Sequence, residues 1–132
     1  MERLDVFFKL VVTAFGGITG YLFGGWSPLV GILLTFIIID YATGLIAAGY
    51  NGQLSSKIGF RGIAKKVMIF FIVAVAHLSD KAIGTDSMLM QAVIWFYLAN
   101  EVISIIENAG KIGVGVPDQI KNLVEVLRNK GK

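Results

Sequence analysis

The run LVVTAFGGITGYLFGGWSPLVGILLTFIII, from Leu10 to Ile39, contains no Asp, Glu, Lys, Arg or His. As a single helix it would reach about 45 Å at ~1.5 Å per residue, well beyond the ~30 Å hydrocarbon core of a bilayer. Its middle, Gly24-Gly25-Trp26-Ser27-Pro28, supplies two glycines, a proline and an interface-seeking tryptophan. The run therefore reads as two apolar segments joined by a short uncharged turn. The rest of the composition agrees. Of the 132 residues, 55% are hydrophobic and only 16% charged, against about 25% charged in a soluble domain. Mean hydropathy is +0.73. One all-α domain of membrane helices is expected.

Working outward, the next feature is a basic corner, Leu54-Ser55-Ser56-Lys57-Ile58-Gly59-Phe60-Arg61-Gly62-Ile63-Ala64-Lys65-Lys66, which holds four of the twelve basic residues and no acid. A short Lys/Arg-rich connection stays on the cytoplasmic side. Lys57, Arg61 and Lys65 recur every fourth residue and share a helix face, and Ser55 or Ser56 can cap the helix start. Lys57, Arg61, Lys65 and Lys66 are read as setting topology and meeting anionic lipid.

With that corner inside, four spans are expected at about 5–24, 28–48, 63–83 and 88–106. They form a transmembrane domain over 1–110, followed by a cytoplasmic basic amphipathic tail over 111–132. Three spans, with the first or the third segment failing to cross, remain open; the apolar core of the third, Val67 to Ala76, is short and its flanks carry Lys65, Lys66, His77, Asp80 and Lys81. Gly84-Thr85-Asp86-Ser87 is expected to make the next outer turn and to cap the fourth segment. In the tail, Pro117 leads a helix whose Ile120, Leu123, Val124 and Leu127 form one stripe. Lys111 to Lys132 carries five basic and two acidic residues. The tail is expected to lie on the inner membrane surface or beneath the bundle. The first residues, Met1-Glu2-Arg3-Leu4-Asp5, carry acids and lack the net positive charge of a secretory leader, so the first apolar segment is expected to be retained.

Several residues stand out against this apolar background. Asp40 falls inside the second segment, with Thr43, Gly44 and Ala47 on its face. Asn100 and Glu101 fall inside the fourth, with Ser104 and Asn108 continuing the face of Glu101. A depth estimate that took the second and fourth segments as antiparallel puts Asp40 and Glu101 a few ångströms to the cytoplasmic side of the middle. Two carboxylates there must be compensated or neutralised. Asp40, Thr43, His77, Asn100 and Glu101 are thus the intramembrane polar candidates. Gly16, Gly20 and Gly24 recur every four residues and, with Gly44, are candidates for close helix approach, within the chain or between copies.

The absence of cysteine excludes disulfides and thiolate chemistry. There is no phosphate-binding glycine loop, no histidine cluster and no nucleophile–base pair outside the apolar segments. Catalytic residues, metal ligands and cofactors are therefore not expected. The net charge of +3 is accounted for by the corner and the tail, so nucleic acid is not an expected partner.

Asp40-Tyr41-Ala42-Thr43-Gly44, the corner from Ser55 to Lys66, and Asn100-Glu101 through Glu107-Asn108-Ala109-Gly110 together resemble the phage-lysis and toxin-secretion holins. The likeness runs from about Ile32 to Lys130. It implies a small, non-enzymatic phage or prophage protein of the bacterial inner membrane; the alternation of charge along the chain separately leads us to expect both termini to be cytoplasmic. Such a protein pairs with copies of itself and opens the membrane at a set time, releasing an endolysin or a toxin. The residues alone also leave room for a small proton-coupled transporter, or for a non-conducting membrane adaptor.

Overall fold

The computed structural model describes residues 2–132. They form five helices: α1 (Glu2–Phe23), α2 (Pro28–Tyr50), α3 (Ser56–Ile83), α4 (Met88–Lys111) and α5 (Asp118–Lys130). Three of them, α1, α2 and α4, are long and apolar enough to cross a membrane. A helical membrane protein follows directly, because only internally hydrogen-bonded segments can sit in lipid.

Local chemistry sets the ends. α2 starts on Pro28, whose missing N–H costs nothing at a first helical position, and Ser27 Oγ accepts from Val30 N at 3.3 Å. Ser55 caps α3 in the same way, accepting from Ile58 N at 3.2 Å. The basic corner is therefore not a separate surface turn. It is the first third of one continuous 28-residue helix.

α4 lies at the centre, packed on α2, α3 and α5, while α1 packs on α3 at the edge. The core joins Val30, Leu33 and Ile37 of α2 to Val73 and Ala74 of α3 and to Ile94, Leu98 and Val102 of α4. Asn51 Nδ2, just past α2, donates to Lys111 O at the end of α4 at 3.3 Å. α2 and α4 thus run in the same direction, with α3 antiparallel to both. The antiparallel pairing assumed in the depth estimate is corrected here, for a simple reason: alternate segments of an up-and-down chain point the same way. The matching depth of Asp40 and Glu101 survives the correction.

α1 holds to the bundle only near its end. Thr19 and Phe23 are buried, whereas every residue from Glu2 to Ile18 is exposed. Phe23 meets Phe70 edge-on, with ring centroids 5.9 Å apart. Gly24 is not part of the helical glycine row. It ends α1 with φ +72°, and a Cβ there would stand 2.9 Å from His77 Cε1. Gly16 and Gly20 do lie in the helix, but among the described residues nothing comes within 4 Å of where their Cβ atoms would be. Neither serves packing inside this chain.

Two further corrections concern the second half. Ser87 does not cap α4; it sits at φ +69° with no side-chain bond to the helix. The cap is supplied by Asp80 of α3, whose Oδ1 accepts from Leu89 N at 2.9 Å and whose Oδ2 accepts from Met90 N at 2.8 Å. Thr85 Oγ1 also donates to Asp80. A carboxylate at a helix N-terminus satisfies free amides and complements the helix dipole, which accounts for an acid buried at this point.

The tail, too, is placed differently. α5 does not lie under the bundle but turns back along α4. Val124 and Leu127 are buried, and at the far end a Cβ on Gly131 would stand 3.4 Å from both Trp95 Cβ and Ala92 O. The reversal is made by the linker after Lys111, where Gly113 takes φ +80°. An apolar stripe gains more by covering α4 than by lying free.

Candidate functional site

The site is built from one residue on each of three helices. Asp40 stands ten residues before the end of α2, Glu101 ten before the end of α4, and Lys66 ten after the start of α3. At ~1.5 Å per residue all three lie about 15 Å in from the same end of the bundle. Helix direction alone brings them to one level.

Lys66 bridges the two acids. Its ammonium donates to Glu101 Oε1 at 2.9 Å and to Oε2 at 2.8 Å, and also to Asp40 Oδ2. The side chains of Asp40 and Glu101 are 3% exposed and that of Lys66 is 22% exposed, so the pairing is internal and not a surface contact. The two acids are held unequally. Asp40 Oδ1 also accepts from Ser104 Oγ at 2.6 Å and from Asn108 Nδ2 at 2.9 Å. Among the described residues, the only donor to Glu101 is Lys66, and its carboxyl also lies against that of Asp40.

A second ring of polar groups holds Asp40 in place. Thr43 Oγ1 donates to Asp40 O at 3.0 Å, and Asn108 Nδ2 reaches the same carbonyl at 3.1 Å and Thr43 Oγ1 at 2.9 Å. Gly44 lies against this group: a Cβ there would stand 3.6 Å from Asn108 Nδ2, an ordinary contact. Beside it, Tyr41 reaches across to α3 and donates its hydroxyl to Gly59 O at 3.2 Å. Gly59 and Gly62 leave the groove that receives the side chain; a Cβ at Gly59 would stand 3.3 Å from the Tyr41 hydroxyl and one at Gly62 3.2 Å from its ring.

A cavity of about 420 Å³ opens between α2, α3 and α4 and runs from their shared end to this cluster. Tyr41, Ala48, Asn51, Lys65, Lys66 and Ser104 are on its walls. It offers water or a small ion a path to Lys66 and Asp40, without passing through the apolar core.

The remaining candidates lie elsewhere. Asn100 is exposed on α4, one residue from Glu101 but turned away from it. His77 is buried near the opposite end of the bundle, against Gly24, and its Nε2 has no hydrogen-bond partner among the described residues. Lys57, Arg61 and Lys65 are exposed along α3, whereas Lys66 belongs to the cluster and not to the lipid-facing set. The reason is angular. Lys66 follows Lys57 by nine residues, and at ~100° per residue it points to the opposite side of the helix. That signal was available in the sequence, as was the pairing of Ser104 and Asn108 with the face of Glu101. Tyr41 and the Gly59–Gly62 groove gave no comparable signal, since their meaning depends on which helix is adjacent.

A protein-family model described as the bacteriophage holin family matches residues 17–129, which takes in every member of the cluster. The chain belongs to this holin family. Holins of the family are not enzymes. The curated relatives are uncharacterized proteins of similar length. One from Listeria monocytogenes is 50% identical over 127 residues, covering 96% of this chain and 91% of the relative. Another, from Halalkalibacterium halodurans, is 40% identical over 130 residues, covering 95% and 96%. A third, a 14.9 kDa protein in the nagH 3′ region of Clostridium perfringens, is 35% identical over 131 residues, covering 98% and 99%. No solved structure matches.

Proposed function

We propose that this holin-family chain assembles with copies of itself in the bacterial inner membrane and opens it at a set time. A wall-degrading endolysin, or an exported toxin, then leaves the cell. α3 crosses as a fourth span, with the basic corner and the N-terminus on the cytoplasmic side.

The observation that carries the reading is the Asp40–Lys66–Glu101 cluster inside a chain of this family. Ionisable groups at membrane depth are costly, and are kept where they serve the working assembly. Within one chain the three are paired, which describes a closed form. In an assembly that admits water they can be hydrated separately, so the same residues favour either state according to what surrounds them. α1 supports self-association: residues 2–18 are exposed, and its glycine row is open to a second helix. Exposed Lys57, Arg61 and Lys65 suit anionic lipid headgroups.

A proton-coupled transporter draws on one specific feature, the cavity that reaches Lys66 and Asp40. It requires solute uptake without leakage of large molecules.

The deciding experiment is induction of the chain in a bacterium whose cytoplasm holds a matching wall hydrolase. Growth should continue and then collapse within a narrow interval, with Asp40→Asn and Glu101→Gln shifting its onset. Continued growth, with the chain abundant in the envelope, would discard the proposal.

A further inference from the structure

α5 is polar on the side that faces away from its neighbour. Val124 and Leu127 press on α4, whereas Asp118, Asn122, Glu125 and Asn129, at helical spacings of four, three and four, form the opposite stripe and are all exposed. Lys121 and Arg128 flank that stripe and are exposed as well. Arg128 Nη1 and Glu125 Oε1 stand 4.0 Å apart, a loose contact of the kind found between solvated side chains.

Position makes this stripe informative. The end of α5 reaches Trp95 and Ala92, and Trp95 lies sixteen residues, about 24 Å, from the Lys111 end of α4. α4 is itself apolar enough to span. Two carboxylates and two amides, with two cations on the flanks, are thus held alongside a spanning helix over much of its length. Acyl chains offer such groups no hydrogen bonds. Apart from the charged first turns of α1 and α3, a second copy would offer little more, because the outward surfaces of α1 to α3 are rich in exposed Phe, Ile, Val and Leu. Water is the remaining medium that solvates the stripe.

We propose that docked α5 is the water-facing wall of the assembled lesion, with Asp118, Asn122, Glu125 and Asn129 lining the aqueous path and α4 backing them. The proposal rests on the membrane-opening reading above and adds to it the surface that meets the water. The Asp40–Lys66–Glu101 cluster lies on another side of α4, where Asp40 and Lys66 line a separate cavity; water reaches it by that route and not along this stripe. The amphipathic stripe lets α5 seal α4 on one face and hydrate on the other, which no apolar helix of the chain can do.

The test uses the full chain, which contains no native cysteine, in dye-loaded vesicles of anionic and zwitterionic lipid. Trp95→Cys with Gly131→Cys places two Cβ atoms about as far apart as a disulfide needs; should loss of the tryptophan unsettle the fold, Ala92→Cys with Gly131→Cys is the second pair, joined by a short bifunctional methanethiosulfonate that reduction also releases, because Gly131 meets the carbonyl of residue 92. In separate chains a spin label is attached at Asn122→Cys and, as a lipid-facing reference, at Phe71→Cys. The expected result has three parts. The disulfide forms in leaking vesicles, the oxidised chain releases dye as fast as the reduced one, and the label at 122 collides with a water-soluble nickel chelate several-fold more often than the label at 71. The proposal is overturned if neither pair forms, if oxidation stops a release that reduction restores, or if label 122 is as shielded from the chelate as label 71. Retention of dye by oxidised and reduced chains alike, with the protein inserted, defeats the membrane-opening reading itself, and the proposal with it. That outcome is recognisable because it does not depend on the state of α5.

Discussion

Replacing Lys66 with Met removes the ammonium while keeping a side chain of similar length, and the structure says where the cost falls. Asp40 keeps two donors, Ser104 and Asn108. Among the described residues Glu101 loses its one hydrogen-bond donor and is left facing the carboxyl of Asp40. Breaking a buried ion pair from one side costs about 3–5 kcal/mol. The cavity beside Lys66 admits some solvation, so the lower end, about 3 kcal/mol or some 150-fold in the folding equilibrium, is expected. Adding Glu101→Gln should recover about 2 kcal/mol, because a neutral amide tolerates burial better than an orphaned carboxylate. Adding Asp40→Asn instead should recover much less, since Asp40 was not left alone. The assay is equilibrium unfolding in mixed micelles, followed by tryptophan fluorescence, with the single and double variants forming two mutant cycles. A loss below about 1 kcal/mol for Lys66→Met, or equal rescue by the two second-site changes, would refute the unequal dependence on Lys66.

Other expectations follow from single contacts. Asp80→Ala should cost about 1–2 kcal/mol through loss of the α4 cap, and hydrogen exchange should quicken at Leu89 and Met90 before the rest of α4. Gly24→Ala should cost about 1–2 kcal/mol from the left-handed backbone alone, with more from the clash on His77, whereas Gly25→Ala meets strain but no neighbour and should leave the His77 environment unchanged by NMR. Gly16→Leu with Gly20→Leu should leave the unfolding midpoint of the monomer nearly unchanged, because among the described residues nothing stands within 4 Å of where either Cβ would be. It should alter self-association, read by crosslinking in vesicles; a large loss of monomer stability would show that α1 packs inside the chain after all.

How much could be read in advance depended on the range of the interaction. The charge-free run from Leu10 to Ile39 and the glycine–proline turn within it disclosed α1 and α2, because hydropathy and turn chemistry act locally. Ser55 disclosed the start of α3 for the same reason. Asp40 and Glu101 were legible as intramembrane acids, since their cost in lipid does not depend on the fold. Their partner was not, because Lys66 sits in a run of basic residues whose collective reading, a cytoplasmic corner, hid its individual direction. The cap of α4 was hidden by a nearer candidate: Ser87 has the right chemistry, but its backbone takes φ +69°, while Asp80 reaches in from the preceding helix. The tail stripe of α5 announced an apolar contact without naming the surface. That it doubles back along α4 depends on the linker at Gly113, whose conformation no periodicity encodes. Gly24 failed as a packing residue because four-residue spacing has meaning only while the helix continues, and α1 ends at Phe23.

The most direct measurement follows single bacteria that express this chain together with a cytosolic fluorescent protein and a potential-sensitive dye. The membrane potential should hold steady as the chain accumulates, then fall at the same moment as the fluorescent protein escapes. Cells that keep both, while the chain is shown to be plentiful and inserted in their membrane, would contradict the claim that it opens the bilayer.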